Sequence, residues 1–459
     1  MPAVNRPGND SAGSGRRRPR LGREQAAGLV DSLLLILARV GANLLALAWT
    51  LLLVRLVQPE LSGIAFRAIA LAQIGSVLIT LNVESGAMRV LVPALQQGRP
   101  DEAAGFIRFN RRMVWLSAPA LALAALAWQQ FRGDGALVLW IAVAAVMVAL
   151  ARLTARHATA LGAMRRGLLP RLLTGPLVLT VGLGLAWLGG IDLQPWHVAA
   201  LFALSEALTV LIQQRLLRAT FAPLTGRPAP ADGWRGWIAL GLWLSPGLMM
   251  SEYRKALLIA TAAWVLAPAE LSLFAVAFSI INIINFGVVA VDVAFSPRIA
   301  RAMAANQPAR RDHLLAVAAA IKLAGLGLGI AGTLLIEPWL LGRFGADYRA
   351  AWPALLILLA LPASAILFGP ASVVLAARGL GRADCFGNML GGLAIILAIL
   401  AGGALSGLTG VALGAVLGQT LALAIMALQC RRLLGIDPTL IGLRHLRSPS
   451  AAPATEAVP

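Results

Sequence analysis

Two related stretches, Arg55-Leu-Val-Gln-Pro-Glu-Leu-Ser62 and Val265-Leu-Ala-Pro-Ala-Glu-Leu-Ser272, decide how this chain is organised. Each closes one apolar segment and opens the next, and these segments are long enough to cross a lipid bilayer. Further on, Pro93–Pro100 is loosely echoed by Pro297–Ala304, and each leads into a charged segment and another apolar one. A repeat of this kind indicates two similar halves, a plan that is common among membrane transporters.

The composition excludes a water-soluble protein. Hydrophobic residues make up 59% of the 459 residues and charged residues only 13%, whereas soluble domains average about 45–50% and 25%. Because about 20 apolar residues cross a bilayer, we count about twelve spans. They lie near residues 29–56, 62–83, 113–131, 135–155, 170–189, 195–215, 236–264, 270–293, 314–337, 352–376, 385–405 and 408–430. We therefore predict an all-α integral membrane protein of two six-helix bundles, related as a parallel repeat.

The basic residues indicate which side of the membrane each connection faces. Thirty arginines fall in alternate segments between the spans, whereas Arg55, Arg132, Arg343 and Arg349 fall on the other side. By the positive-inside rule, this distribution places both termini in the cytoplasm. The net charge of +19 then predicts contact with anionic membrane lipids rather than with nucleic acid.

These observations divide the chain into five parts. We expect residues 1–27 to be a disordered basic cytoplasmic tail and residues 435–459 to be a second disordered cytoplasmic tail. Residues 28–218 and 236–434 are predicted to form an N-terminal and a C-terminal six-helix lobe, and residues 219–235 to link them in the cytoplasm. The short connections between the spans exclude most enzymes.

The sequence predicts no cofactor and no metal site. Cys385 and Cys430 lie in separate apolar segments, and the four histidines are far apart, so neither a disulfide nor a zinc site is expected. The stretch Gly327-Leu-Gly-Ile-Ala-Gly332 matches the dinucleotide-binding fingerprint, but it lies inside an apolar span without a preceding strand. Small residues in that position favour close packing of helices.

The first span carries a polar face. Ser32, Arg39, Asn43 and Thr50 are spaced by 7, 4 and 7 residues, so at about 100° per residue they share one side of the helix. Arg39 lies roughly 15 Å from the cytoplasmic end of the span, where a charge facing lipid costs at least about 2.5 kcal/mol. Two interpretations stay open: Arg39 is a fixed cation of a water-filled cavity that Asn43 also lines, or it is a structural arginine paired with a carboxylate.

The second span also has a polar face, which indicates that this helix lines the same cavity. The face comprises Ser62, Gln73, Ser76, Thr80 and Glu84. Arg67 falls off this face near the outer surface, where a long side chain can reach water. Substrate binding and simple extension to the interface therefore both stay open for Arg67.

The seventh span contains a proline and a group of charges. Pro246 removes a backbone hydrogen bond and should kink the helix. Glu252 and Lys255 are three residues apart and can pair along the helix. Arg254 points elsewhere, so it is the cation most available to an anion, and Tyr253 beside it can stack on a sugar.

Two carboxylates lie within predicted spans, Glu206 in the sixth and Asp292 in the eighth. Carboxyl groups in a low-dielectric environment favour the neutral form, so either residue can couple transport to a proton or sodium gradient. Each can equally serve to neutralise an arginine, and a salt bridge between Asp292 and Arg254 would be of this second kind.

Four stretches together resemble one known family. They are Val54–Gly63, the loop that begins Ser296-Pro-Arg-Ile-Ala, Phe344–Trp352 and Gly407–Ala415, and in order and spacing they cover nearly the whole chain. In these features the chain resembles the bacterial polysaccharide (O-antigen type) flippases of the multidrug/oligosaccharidyl-lipid/polysaccharide exporter superfamily.

The resemblance implies two lobes in a V shape around a cationic cavity, and alternating access. The implied substrate is an oligosaccharide on a polyprenyl pyrophosphate, moved from the inner to the outer leaflet of a bacterial plasma (inner) membrane. The implied partners are this lipid-linked glycan, membrane lipids, and polysaccharide polymerase or assembly proteins. The alternative function is an ion-coupled exporter of small, multidrug-type molecules, which would favour a negatively charged cavity.

The residues agree with an anionic substrate, because arginine donates two hydrogen bonds at once to phosphate. We infer that Arg39 and Arg254 supply the positive charge, with Arg67 and Lys255 as further candidates. Asn43, Gln73 and Tyr253 complete the predicted substrate-binding lining.

Overall fold

A computed structural model of the protein describes residues 20–132, 135–228 and 233–440. Within these ranges the regular secondary structure is helical throughout. The helices are α1 (Arg20–Leu56), α2 (Pro59–Thr80), α3 (Ala87–Gln96), α4 (Pro100–Arg132), α5 (Gly135–Ala160), α6 (Met164–Leu188), α7 (Pro195–Phe221), α8 (Trp234–Ser251), α9 (Arg254–Ala262), α10 (Pro268–Ala304), α11 (Pro308–Phe344), α12 (Trp352–Leu358), α13 (Ala360–Phe368), α14 (Ala371–Ala377) and α15 (Gly381–Leu434).

The described residues contain twelve helical stretches that can cross a membrane. Nine stretches are long and apolar enough to span a bilayer, and one of them, α15, crosses twice because its backbone is not helical at Ser406 and Gly407. Helix α4 contains the apolar stretch predicted at 113–131, and α8 with α9 makes one further crossing. The predicted all-α membrane fold is therefore confirmed.

Ordered structure extends into both segments that we expected to be disordered. Helix α1 begins at Arg20, since residues 20–27 are rich in residues with high helix propensity. At the other end, Ile436 is buried against Cys430, and the Asp437 carboxylate accepts hydrogen bonds from Arg431 and Thr439. Residues 20–27 and 435–440 thus have described structure, while residues 1–19 and 441–459 lie outside the described chain.

The structure adds detail to the predicted linker and the seventh span. Helix α7 continues into the linker as far as Phe221, and residues 229–232 lie outside the described chain. Pro246 lies inside α8, which ends only at Ser251. A proline removes one backbone hydrogen bond, and here the helix continues past it. The break falls instead at Glu252 and Tyr253, where polar partners from the other lobe are available.

The two lobes share one apolar core. Helix α2 packs along α10 and α9, and α1 packs against both α6 and α10. The largest cluster of buried side chains includes Trp49 and Phe66 from the N-terminal lobe together with Phe274 and Phe278 from the C-terminal lobe. The interface between the lobes is thus a continuous part of the folded interior.

The two copies of the repeated motif contact each other directly. The Oγ atoms of Ser62 and Ser272 are 2.6 Å apart, and the Tyr348 hydroxyl lies 3.2 Å and 2.8 Å from them. A Cβ atom at Gly63 would lie 1.8 Å from the carbonyl oxygen of Pro268, so the approach of α2 to the start of α10 requires glycine. We call this group the serine contact. It closes the arginine-poor end of the bundle, opposite the arginine-rich end where α1, α6, α11 and α15 begin.

Candidate functional site

The break between α8 and α9 brings a carboxylate of the C-terminal lobe to two arginines of the N-terminal lobe. Glu252 forms an ion pair with Arg156 of α5, and its second carboxylate oxygen lies 3.5 Å from Nη2 of Arg171 on α6. Arg171 Nη2 also lies 3.4 Å from the Tyr253 hydroxyl. These side chains are partly exposed, Arg156 by 35%, Glu252 by 31% and Arg171 by 23%. Because they join helices of both lobes, we call Arg156, Arg171 and Glu252 the interlobe cluster.

Behind the interlobe cluster lies a fully buried ion pair. Arg152 Nη2 is 2.5 Å from Glu84 Oε1, and neither side chain has exposed surface. The same guanidinium donates hydrogen bonds to Thr80 Oγ1 and to the Ser76 carbonyl oxygen, and it lies 5.5 Å from the centre of the Tyr253 ring. A buried charge requires such a partner. The pair therefore holds α5 against the end of α2. The Arg152 guanidinium also packs against the Tyr253 ring.

Arg254 and Lys255 begin α9, which packs against α2, α10 and α15. Both are half-buried. Arg254 Nη1 donates to Gln419 Oε1 at 2.9 Å, and Lys255 Nζ donates to Ser279 Oγ at 3.0 Å. Within residues 20–132, 135–228 and 233–440, no carboxylate forms an ion pair with either of them. Two cations with neutral partners thus lie at the junction of the lobes.

The predicted pairings of the carboxylates need correction. Asp292 pairs with Lys322 of α11 and not with Arg254, because α10 packs against α11 along its length. Glu252 pairs with arginines of the other lobe rather than with Lys255, because the helix is broken between them.

Glu206 remains in the N-terminal lobe. A Cβ at Gly175 would lie 3.5 Å from its Oε1, so its carboxylate lies against α6 one turn beyond Arg171. The two groups are close enough to interact electrostatically.

The polar faces predicted for the first two spans are only partly open to water. On α1, Arg39 is exposed and Asn43 half-buried, but Thr50 is buried and donates to the Ala46 carbonyl oxygen. On α2, Arg67 is exposed and Gln73 half-buried. The other members of the α2 face, Ser62, Ser76, Thr80 and Glu84, are at most 1% exposed. The prediction that this face lines a cavity is wrong for these four, because their polar groups bond within the protein.

Three arginines of this region were assigned by sequence to a cytoplasmic connection. Arg152 and Arg156 lie inside α5, which continues to Ala160 instead of ending near residue 155, and Arg171 lies two turns into α6. The sequence contains an indication that these arginines belong to a helix: Arg152 and Arg156 are four residues apart and so face the same side of one.

The sequence matches no protein-family model and no curated protein. The structure, in contrast, is similar to solved structures of membrane transporters. The lipid II flippase MurJ in an inward closed conformation aligns with a TM-score of 0.67 and 12% identity, over 87% of each chain. An inward-facing multidrug resistance MATE family transporter of the MOP superfamily aligns with a TM-score of 0.62 and 16% identity, over 90% of this chain and 96% of that one. A crystal structure of MATE in complex with MaL6 aligns with a TM-score of 0.60 and 15% identity, over 88% and 95%.

At these identities the likeness shows the fold. The chain shares the fold of these solved structures, and its described residues include nine stretches long and apolar enough to cross a membrane. The similar structures are transporters and a lipid flippase, not enzymes.

Proposed function

We propose that this protein flips a lipid-linked oligosaccharide, carried on a polyprenyl pyrophosphate, from the inner to the outer leaflet of a bacterial plasma membrane. It does so by alternating access, for the biosynthesis of a cell-surface polysaccharide. The arginine-rich end and both termini then face the cytoplasm. That one of the similar structures is a lipid II flippase supports a cargo borne by lipid.

The observation that carries this proposal is the excess of positive charge where the lobes meet. Five cations lie there, namely Arg152, Arg156, Arg171, Arg254 and Lys255, against the three carboxylates Glu84, Glu206 and Glu252. Glu84 neutralises Arg152, but Arg254 and Lys255 have neutral hydrogen-bond partners. A pyrophosphate requires fixed positive charge of this kind, and guanidinium groups bind phosphate through paired hydrogen bonds.

The rest of the predicted lining belongs to the same proposal. Arg39 and Arg67 are exposed and so can meet the phosphates, while Asn43 and Gln73 are half-buried and can bond to the glycan. Tyr253 is buried, with Arg152 5.5 Å from its ring centre and Arg171 3.4 Å from its hydroxyl, so a sugar can reach it only if the lobes move.

The test is a flipping assay in proteoliposomes with a polyprenyl-pyrophosphate oligosaccharide. Arg39→Ala and Arg254→Ala are expected to abolish flipping while the protein remains in the membrane at normal levels. Arg166→Ala is the matched control, since it removes an exposed arginine at the start of α6, and it should flip normally. Normal flipping by both test variants would refute the site, and no flipping by the unmodified protein would refute the function.

The second candidate is an ion-coupled exporter of small molecules, which the likeness to multidrug transporters favours. Such a protein would transport cationic dyes, and the positively charged junction argues against that cargo. Glu206 and Asp292 are the carboxylates through which a proton or sodium gradient would act. Transport by Glu206→Gln or Asp292→Asn that no longer responds to the gradient would assign the coupling role.

A further inference from the structure

The interlobe cluster has one carboxylate for two arginines. Glu252 is divided between Arg156 and Arg171, with one oxygen toward each. Each guanidinium therefore retains donors that Glu252 does not use, and the buried Nε of Arg156 has no acceptor among the described residues. A dianionic group has more acceptor oxygens and more charge than one carboxylate, so it would satisfy this pair of arginines better.

The cluster also joins the two lobes. Both arginines belong to helices of the N-terminal lobe, whereas Glu252 lies at the break between α8 and α9 of the C-terminal lobe. The break is a natural hinge, because the backbone leaves the helical conformation at Tyr253 (φ −112°, ψ 14°). Glu252 keeps 31% of its side-chain surface exposed, so this ion pair is not sealed inside the protein as the one between Arg152 and Glu84 is.

We propose that Arg156 and Arg171 form the N-terminal-lobe half of a pyrophosphate site, and that Glu252 is its displaceable counter-ion. In the unloaded protein, Glu252 holds the arginines and ties the lobes together. The pyrophosphate of the substrate takes over both arginines and releases Glu252, and the lobes can then move at this end. The ligand thus shifts the conformational equilibrium through its different affinities for the two states.

This inference rests on the proposed function and adds the residues that link binding to movement. Arg152 is not part of the exchange, because it is paired with Glu84 in a place that has no exposed surface. Arg254 and Lys255, one and two residues beyond Tyr253, supply the C-terminal-lobe half of the site and therefore move with the hinge.

The test measures binding of geranylgeranyl pyrophosphate to the full-length protein in nanodiscs. Glu252→Gln is expected to bind the ligand about ten-fold more tightly than the unmodified protein, because a neutral side chain no longer competes with the pyrophosphate for Arg156 and Arg171. The double variant Arg156→Gln/Arg171→Gln is expected to bind at least about ten-fold more weakly. Glu102→Gln and Arg166→Gln each remove one charge near the arginine-rich end outside the cluster, and both should bind as the unmodified protein does.

Movement is measured in the same samples by the distance between two spin labels. The labels are attached at Met164→Cys, at the start of α6, and at Arg382→Cys, at the start of α15. Both positions are exposed and lie in different lobes. The native Cys385 and Cys430 are replaced by alanine in this protein. Geranylgeranyl pyrophosphate is expected to shift this distance in the unmodified cluster, and Glu252→Gln is expected to show the shifted distance without ligand. Inorganic pyrophosphate, tested in parallel, shows whether the phosphates suffice or the lipid is also needed.

The outcomes separate the two hypotheses. If the unmodified protein binds geranylgeranyl pyrophosphate but Glu252→Gln binds it no more tightly, the counter-ion role is overturned and the proposed function stands. The counter-ion role is also overturned, and the proposed function stands, if the ligand binds but the distance between the labels does not change. If the unmodified protein binds neither probe, both hypotheses fail.

Discussion

Replacing Arg152 with methionine tests whether the buried ion pair holds the arginine-rich end of the N-terminal lobe together. Methionine has a similar length, but it leaves Glu84 without a counter-ion in a place with no exposed surface. Removing one partner of a buried ion pair costs about 3–5 kcal/mol of folding free energy. The hydrogen bond to Thr80 is lost as well.

The unpaired Glu84 carboxylate is the main source of this cost, because it stays in a place without exposed surface. We expect Arg152→Met to be less stable than the unmodified protein by about 3–4 kcal/mol.

The assay is reversible unfolding in mixed micelles, followed by far-ultraviolet circular dichroism. Arg152→Met/Glu84→Gln should recover most of the loss, because it replaces the ion pair with neutral groups of similar size. Arg166→Met, an exposed control, should change the stability by less than about 0.5 kcal/mol. A loss below about 1 kcal/mol for Arg152→Met, or a loss that the double variant does not recover, would refute the reasoning.

Three further predictions concern contacts described above. Ser62→Cys/Ser272→Cys should form a disulfide, since the two Oγ atoms are 2.6 Å apart. Oxidation should stop transport and a reductant should restore it, whereas transport by the fully oxidised protein would contradict this prediction. Gly63→Ala should force the serine contact apart and increase the labelling of Ser62→Cys by an impermeant maleimide, while unchanged labelling would show that the contact tolerates a methyl group. Asp292→Asn should lower the unfolding free energy by about 2–3 kcal/mol and Lys322→Met by only about 1 kcal/mol, because the first leaves Lys322 unpaired at 2% exposure and the second leaves Asp292 unpaired at 29%. Equal losses in the unfolding assay would contradict this asymmetry.

The membrane fold could be predicted because each span is a local property of the sequence. A run of apolar residues is sufficient to locate a helix in the bilayer. The stretch Gly407–Ala415 also proves informative, since a Cβ at Gly410 would lie 1.8 Å from the Gly402 carbonyl oxygen in the last hairpin. Small residues there permit close packing of the two arms of α15.

The site could be predicted only in part, because ion pairs depend on contacts between distant segments. Thr80 and Glu84 both contact Arg152, but Glu84 lies beyond the end of α2. Helical periodicity could not show that this arginine, rather than water, is their partner. Similarly, Glu252 has a lysine three residues away along the chain, yet it pairs with arginines that precede it by 96 and 81 residues. These pairings become visible only once the helices are packed.

The serine contact has the form of an isologous interface, in which a surface pairs with a copy of itself, as in a two-fold symmetric dimer. Ser62 meets its own counterpart, Ser272, so each half presents the complement that the other requires. Covalent continuity between the halves is not needed for such a contact. Two polypeptides divided between residues 228 and 233 and produced together are therefore expected to assemble into the complete twelve-crossing protein.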